Sequence, residues 1–273
     1  MTKRIQRPLG VGGWLLVGLV VTYLGLVLVL PLMALMAQVL HAGWKPLWRL
    51  LEDAGAWQGL RMTLILATIA VLANGVAGIA GALVLSRQRF WGRRLLDALV
   101  DLPLAVSPVM TGLAFLLIFG RGGWLAPWLE ACGCQVAFAF PGLVVATLFV
   151  TFPFTLREVG YVLEELGADE EEAAITLGAS AWQTFWRVTL PNVRHGLGYG
   201  VLLTMARALG EFGAVLVVGG AISGHTETAT TFIYNAVEER QEPMAFGVSL
   251  ILAAISIGLL AGLEWLKRQR TKM

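Results

Sequence analysis

Few residues of this 273-residue sequence stand in patterns that support catalysis. The three histidines, His41, His195 and His225, lie far apart, and none stands in an H-E-x-x-H zinc motif. No serine stands in G-x-S-x-G, and no lysine completes the phosphate-binding pattern G-x-x-x-x-G-K-[ST]. We therefore predict no catalytic residue in this chain, and any ATP that drives the protein must be bound by another chain.

The two cysteines, Cys132 and Cys134, are separated by a single glycine. A metal site needs more ligands than this pair supplies. A disulfide across one residue would be strained. The pair therefore predicts neither a metal site nor any other chemistry.

Charged residues inside apolar sequence carry more information. Arg207 and Glu211 stand about ten and fourteen residues into a predicted membrane span, and four-residue spacing places them on one helical face. Charges at this depth cost roughly 2.5–3.5 kcal/mol on insertion scales, so they should face the protein interior or water. Arg207 could line an electropositive path for an anion while Glu211 tempers the field. Alternatively, the two could form a salt bridge that fixes helix packing.

Asp97 and Asp101 repeat the four-residue spacing at the start of the predicted third span. The helix dipole favours carboxylates near a helix N-terminus, which would be a structural role. Asp101 could instead pair with Arg207 if the third and fifth spans touch, and the sequence leaves both possibilities open.

Membrane-spanning helices must position these charges. The sequence is 57% apolar and 14% charged, against roughly 45–50% and about 25% in soluble proteins. Lipid leaves no partner for free backbone groups, and alternating barrel strands are absent, so the spans should be helical. We predict an all-α integral membrane protein whose six transmembrane helices, each near the roughly 20 residues that a bilayer requires, lie at 11–39, 63–85, 99–119, 136–155, 197–222 and 245–266.

The basic residues indicate the orientation. One face collects fourteen Lys and Arg from both termini and from segments 86–98 and 156–196. The other face collects five, which are Lys45, Arg49, Arg61, Arg121 and Arg240. The positive-inside rule places both termini in the cytoplasm, so the basic balance reports topology and not a nucleic-acid partner. A secretory signal is the alternative for the N-terminus, but its apolar core would have only about 7–15 residues.

Small residues four apart are expected where helices approach closely. The candidate pairs are Ala77 with Gly81, Gly196 with Gly200, and Gly258 with Gly262. Gly219, Gly220 and Gly224 gather at the outer end of the fifth span, where a mobile gate would also use them. Pro103 and Pro108 could break the third span at a cavity.

A polar stretch, DEEEAAITLGASAWQTFWRVTLP at 169–191, separates the fourth and fifth spans. Gly178 would end an acidic helix, Ser180 would cap a second, short helix, and Pro191 would end it. The short helix carries three aromatic residues on one face, Trp182, Phe185 and Trp186. That face would lie either at the bilayer interface or in a groove of a cytoplasmic partner.

The spacing of this stretch resembles the signature E-A-A, three residues, G, nine residues, I-x-L-P of permease subunits in ABC importers. Val188 replaces the usual Ile, and the other matching residues are Glu172, Ala173, Ala174, Gly178, Leu190 and Pro191. The resemblance implies a type I ABC permease fold with a cytoplasmic coupling helix at 179–186. That helix, with its three aromatics, would dock into a cleft of the ATPase subunit.

Two further stretches narrow the resemblance, which covers about 63–264. DLPLAVSPVMTGL at 101–113 and ARALGEFGAVLVVGGAISGHTETATTFIY at 206–234 are similar to sulfate and thiosulfate permeases of the CysW type. Ser107 and Pro108 favour CysW over its usual partner CysT. Molybdate and tungstate permeases share the core at 209–214 and remain the alternative. The candidate path residues are Arg207, Glu211, Asp101 and Ser107.

The resemblance also implies the partners. They are a dimer of ATPase subunits that bind ATP and Mg, a second permease subunit (a CysT-like relative or a copy of this chain), and a periplasmic sulfate-binding protein. The chain itself would bind no cofactor and would lie in the bacterial inner membrane.

We divide the chain into an N-terminal transmembrane helix with an external segment (1–59), a permease core (60–266) and a basic cytoplasmic tail (267–273). Two rival classes fit less well. An ion-coupled carrier would need its own ion site and usually internal repeats, neither of which the sequence shows. A membrane scaffold would need no charges inside its spans.

Overall fold

The computed structural model describes residues 10–43, 48 and 50–270, and these contain helices and no strand. Some of the basic residues used to predict the orientation lie outside the described residues, namely those at 1–9 and Lys45, Arg49 and Lys272. We number the helices α1 to α12. Their bounds are α1 Val11–Ala42 (including a π-helical turn at Gly25–Val29), α2 Ala54–Arg87, α3 Arg93–Val100, α4 Leu102–Ala105, α5 Pro108–Phe119, α6 Ala126–Ala131, α7 Phe140–Leu166, α8 Asp169–Thr176, α9 Ala181–Leu209, α10 Gly213–Gly219, α11 Ala229–Glu238 and α12 Glu242–Arg270.

Among the described residues, four helices are long and apolar enough to cross a membrane, namely α1, α2, α7 and α12. A fifth candidate is the pair α9 and α10, which bend by 55° at a short break. The apolar helix α5 has only 12 residues, fewer than a straight span requires. The helical membrane fold is therefore confirmed.

A single helix over 99–119 is wrong, because the chain breaks twice between α3 and α5. Asp101 separates α3 from α4, and Val106 and Ser107 separate α4 from α5. Proline disfavours a helical conformation in the residue before it, and Ser107 accordingly has an extended ψ of 136° in front of Pro108. The predicted break at the prolines is thus confirmed.

A single helix over 197–222 is wrong for a different reason. After α9 ends at Leu209, the backbone leaves the helix through Gly210 and Phe212. The carboxylate of Glu211, which precedes the N-cap Phe212, accepts a hydrogen bond from the backbone N–H of Ala214 in the first turn of α10 at 2.9 Å. This local hydrogen bond competes with a continuous helix, and Glu211 therefore does not share a helical face with Arg207.

Helices α2, α7 and α9 form the packed centre, in which Val159 and Val193 are fully buried. Glycines on α9 allow it to lie close to α7. A Cβ at Gly200 would lie 2.8 Å from Cα of Thr155, and one at Gly196 would lie 2.5 Å from Cγ2 of Val162. The packing role predicted for this glycine pair is confirmed.

The other two predicted pairs fare less well. Gly81 packs against Leu156, but Ala77 is exposed and the neighbouring Gly78 occupies the contact instead. Nothing lies within 4 Å of a Cβ placed at Gly258, so α12 has no close helix approach there. Spacing alone could not distinguish the face that packs from the face that meets lipid.

The chain turns sharply after α10, and glycines occupy positions in that turn. Gly220 and Gly224 have positive φ angles of 71° and 84°, which favour glycine. The hydroxyl of Thr226 donates to the carbonyl of Gly219 at 2.7 Å, and the amide of Gln58 donates to Gly224 at 2.5 Å. The turn is thereby tied to the start of α2, and a gate at these glycines remains a prediction.

Candidate functional site

The polar stretch between α7 and α9 begins with the predicted acidic helix, α8. Its first turn contains four acidic residues at 169–172, where the helix dipole stabilises negative charge. Beyond α8, Gly178 has a φ of 89°; its N–H bonds the carbonyl of Ile175, and the N–H of Ala179 bonds that of Ala174. This hydrogen-bond pair is a Schellman motif, and it confirms the helix end predicted at Gly178.

The next helix begins as predicted, with Ser180 as its N-cap. The Ser180 hydroxyl accepts from the N–H of Gln183, and the Gln183 side chain accepts from the N–H of Ser180, which completes a capping box. The helix is not short, however, because it continues as α9 to Leu209.

The predicted stop at Pro191 is wrong. A proline cannot donate a backbone hydrogen bond, and its ring clashes with the carbonyl four residues earlier. Here a π-helical turn at Phe185–Thr189 widens the backbone just before Pro191 and lets the helix continue. The same arrangement occurs in α1, where a π-helical turn at Gly25–Val29 precedes Pro31.

The three aromatic residues form one cluster, which we call the aromatic ridge (Trp182, Phe185 and Trp186). Their ring centroids lie 5.3 to 6.2 Å apart, within the usual range of aromatic contacts. Trp182 and Trp186 are 69% and 49% exposed, Phe185 is half-buried, and Leu177, between α8 and α9, is 89% exposed. The two tryptophans therefore form an apolar surface that the described part of this chain leaves uncovered.

The signature residues lie around this ridge. Glu172 and Ala173 are exposed on α8, Ala174 is half-buried, and Leu190 and Pro191 lie in the third turn of α9, beyond the ridge. The contacts that hold α8 in place could not be predicted from the sequence, because they join distant parts of the chain. Glu171, one residue before the signature glutamate, accepts from Nε of Arg87 at 2.7 Å and from the hydroxyl of Thr189 at 2.8 Å.

Arg207 and Glu211 meet as an ion pair. Nη1 of Arg207 lies 2.6 Å from Oε2 of Glu211, whose side chain is only 2% exposed while that of Arg207 is 30% exposed. Oε2 has no hydrogen bond of regular geometry, so the attraction to Arg207 is its main compensation for burial. The predicted salt bridge is confirmed, and the partly exposed guanidinium leaves the path interpretation open.

Asp101 does not pair with Arg207. Instead, Arg157 of α7 binds it through two hydrogen bonds of 2.8 and 2.7 Å, and binds Asp97 at 2.6 Å. Both carboxylates lie on or beside α3, so Arg157 attaches this helix to the packed centre. They also line an open cavity of about 740 Å³ together with Tyr161 and Leu203.

Ser107 is exposed at the N-terminus of α5, and its hydroxyl makes no capping bond there. The start of α5 is close to the start of α10, because a Cβ at Gly213 would lie 3.2 Å from Cβ of Pro108. The breaks in the third and fifth predicted spans thus lie side by side, next to Glu211.

Metal ligation has no visible site in the described part of the chain, since no group of three or more His, Cys, Asp or Glu could hold an ion. Cys132 and Cys134 are free and exposed. Cys132 is the C-cap of α6, and Cys134 lies two residues beyond it.

Comparison with known proteins agrees with this geometry. The family described as "Binding-protein-dependent transport system inner membrane component" matches residues 73–269. The sulfate transport system permease protein CysW of a Synechocystis strain is 46% identical over 258 residues, which cover 94% of this chain and 93% of the relative. Its counterpart in Escherichia coli is 42% identical over 262 residues, covering 95% and 90%.

The fold is also found in a solved structure, that of a bacterial alginate ABC transporter in complex with its alginate-bound periplasmic protein. The TM-score is 0.78 at 18% identity, covering 95% of this chain and 96% of that chain, so the likeness concerns the fold alone. Together with the family match over residues 73–269, these findings show that the chain belongs to the inner membrane components of binding-protein-dependent transport systems.

Proposed function

We propose that this chain is the permease subunit of an ATP-driven importer for sulfate or thiosulfate. The observation that carries the proposal is the 42–46% identity, over nearly the whole chain, to relatives named as sulfate transport permeases of the CysW type. Molybdate or tungstate is the alternative cargo, because permeases for these oxyanions share the core at 209–214.

In this proposal the aromatic ridge docks into a cleft of an ATPase subunit. The ridge has the chemistry of such a contact, since its exposed tryptophans stand on a capped, well-defined helix. ATP and Mg are bound by the ATPase subunits, and this chain supplies neither a cofactor site nor a catalytic residue.

The proposed path for the anion runs beside the two helix breaks. Arg207 supplies positive charge, and Glu211 limits its strength so that a dianion can leave again. Ser107 lies at the adjacent break, and Asp101 lines the open cavity described above. Broken helices are tolerated at membrane depth where they line a cavity, which supports this placement.

The proposed topology has six spans and both termini in the cytoplasm of a bacterium. In this arrangement α1 is the first span, α3 to α5 form a broken third span, and α9 with α10 form a bent fifth span. The 1–59 segment, the 60–266 core and the basic tail at 267–273 keep the roles predicted above. A second permease, CysT-like or a copy of this chain, completes the path, and a periplasmic binding protein delivers the anion.

The test is uptake of labelled sulfate and molybdate into proteoliposomes that contain this subunit, its copurified partners and trapped ATP. We expect ATP-dependent sulfate uptake that excess molybdate does not suppress. A preference for molybdate would retain the importer and change its cargo. Uptake of neither anion, in vesicles that hydrolyse ATP, would contradict the proposal.

A further inference from the structure

Helix α8 carries the signature residues Glu172, Ala173 and Ala174, yet none of its own residues is buried. Its substantial packing is limited to the beginning of α9. Apolar burial therefore contributes little to holding α8 against the membrane helices, and polar contacts must fix its position.

Arg87, in the last turn of α2, supplies these contacts. Its Nε donates to Oε2 of Glu171 at 2.7 Å, its Nη1 donates to the carbonyl of Leu163 at 3.1 Å, and its Nη2 donates to that of Gly167 at 2.5 Å. The two carbonyls belong to the end of α7, where helix carbonyls lack intrahelical partners. One guanidinium thus joins α2, α7 and α8.

Glu171 extends the connection to a fourth element. Its second oxygen, Oε1, accepts at 2.8 Å from the hydroxyl of Thr189, the last residue of the π-helical turn that also contains Phe185 and Trp186 of the aromatic ridge. The side chains of Arg87 and Glu171 are only 22% and 17% exposed. Partial exclusion from water strengthens such charge-assisted hydrogen bonds relative to surface pairs.

We propose that Arg87 and Glu171 form the link through which movement of the docking loop reaches the packed membrane helices. Both are positioning residues: they touch neither the anion nor ATP, but they fix α8 and the start of α9 to α2 and α7. This inference rests on the proposed function, because it assumes that the aromatic ridge docks on an ATPase subunit.

The first test uses the full complex with Arg87→Gln, Glu171→Gln and the double variant. Three quantities are measured: copurification of the ATPase subunit, ATP hydrolysis in the presence of loaded binding protein, and sulfate uptake. We expect the ATPase subunit to remain bound, while uptake per ATP hydrolysed falls at least about fivefold, the lower end of typical coupling between sites. Because the two residues form one link, the double variant should be no worse than the poorer single variant.

The matched control is Arg89→Gln, an exposed arginine two residues along the chain that makes none of these contacts. It should leave uptake per ATP unchanged. If the Arg87 and Glu171 variants lower uptake and ATP hydrolysis in proportion, their role is stability alone and the inference is wrong. If the proposed function itself were wrong, the unmodified chain would not retain an ATPase subunit. That result distinguishes failure of the proposed function from failure of this inference.

A cross-link provides the second test. In a chain with Cys132→Ser and Cys134→Ser, Arg87→Cys and Glu171→Cys are joined by a short bifunctional thiol reagent, which replaces the ion pair with a covalent link. We expect the reagent to restore uptake that the two unlinked cysteines lose. If uptake stays lost after complete cross-linking, α8 must move relative to α2, and the rigid link is contradicted.

Discussion

Single residues show how this chain keeps charge within apolar helices. Arg207 lies in the last turn of α9, where the helix dipole favours a cation, and Glu211 lies at the start of α10, where it favours an anion. The break between the two helices therefore stabilises both members of the ion pair. A continuous helix would offer neither charge a favourable terminus.

Substitution of both members of this pair tests its role in transport. Arg207→Met alone leaves the buried carboxylate of Glu211 without its partner, which typically costs about 3–5 kcal/mol, so lower yield is expected. The double variant Arg207→Met with Glu211→Leu removes both charges and should restore assembly with the ATPase subunit. We expect this double variant to lack sulfate uptake in proteoliposomes. Normal uptake would mean that the pair serves packing only.

The helices of this fold differ in how closely they are packed against the rest of the protein. Helices α7 and α9 approach through glycines and bury apolar side chains between them, whereas α8 and the aromatic ridge remain exposed outside the packed centre. The first arrangement makes a rigid body, because close-packed interiors tolerate little change of volume. The second provides a surface whose apolar side chains are available to a partner.

The contact between α7 and α9 predicts a stability effect. Gly200→Ala places a Cβ 2.8 Å from Cα of Thr155, and overpacking of this kind typically costs about 1–3 kcal/mol. We expect a lower midpoint of thermal unfolding in detergent. Gly258→Ala is the matched control, since nothing lies within 4 Å of its Cβ, and an equal loss in both variants would rule out the packing explanation.

The aromatic ridge predicts a different outcome. Trp182→Ala combined with Phe185→Ala removes apolar surface that is largely uncovered in this chain, so membrane insertion and yield should stay normal. Copurification of the ATPase subunit and sulfate uptake should both be lost. Trp91→Ala removes a fully exposed tryptophan that is predicted on the same, cytoplasmic side of the membrane. This control should change neither copurification of the ATPase subunit nor sulfate uptake. ATP-dependent uptake that persists in the double variant would exclude docking through the ridge.

At the scale of the whole molecule, α7 separates two segments of the chain. The segment with α8 and the aromatic ridge follows the C-terminal end of α7, whereas the segment with Cys132 and Cys134 precedes the N-terminal end of the same helix. Helix α7 has 27 residues and is one of the candidate spans, a length of about 40 Å at 1.5 Å per residue. In the proposed topology, the two segments therefore lie on opposite sides of the membrane.

This arrangement predicts the labelling of thiols from each side of the membrane. Cys132 and Cys134 are exposed, so a membrane-impermeant thiol reagent should label them in intact spheroplasts. A chain with Cys132→Ser, Cys134→Ser and Leu177→Cys should be labelled only after the cells are opened, because the 89% exposed Leu177 lies in the loop. Reversed labelling would mean that the chain is inserted in the opposite orientation.

Composition and short-range patterns were enough to predict the membrane class, the helix end at Gly178 and the cap at Ser180, and to reveal the family signature. The membrane class depends on composition, the helix end and the cap depend on residues within about one helical turn, and the signature is a residue pattern visible in the sequence itself. It also anticipated the ion pair of Arg207 with Glu211, whose partners are four residues apart.

Contacts between residues that are distant in the chain became visible in the folded structure alone. Asp101 binds Arg157 instead of Arg207, and Arg87 binds Glu171 across 84 positions. Spacing cannot reveal such contacts, since they depend on which helix faces meet. The passage of α9 beyond Pro191 was likewise missed, because a π-helical turn can accommodate a proline where the surrounding structure holds the helix together.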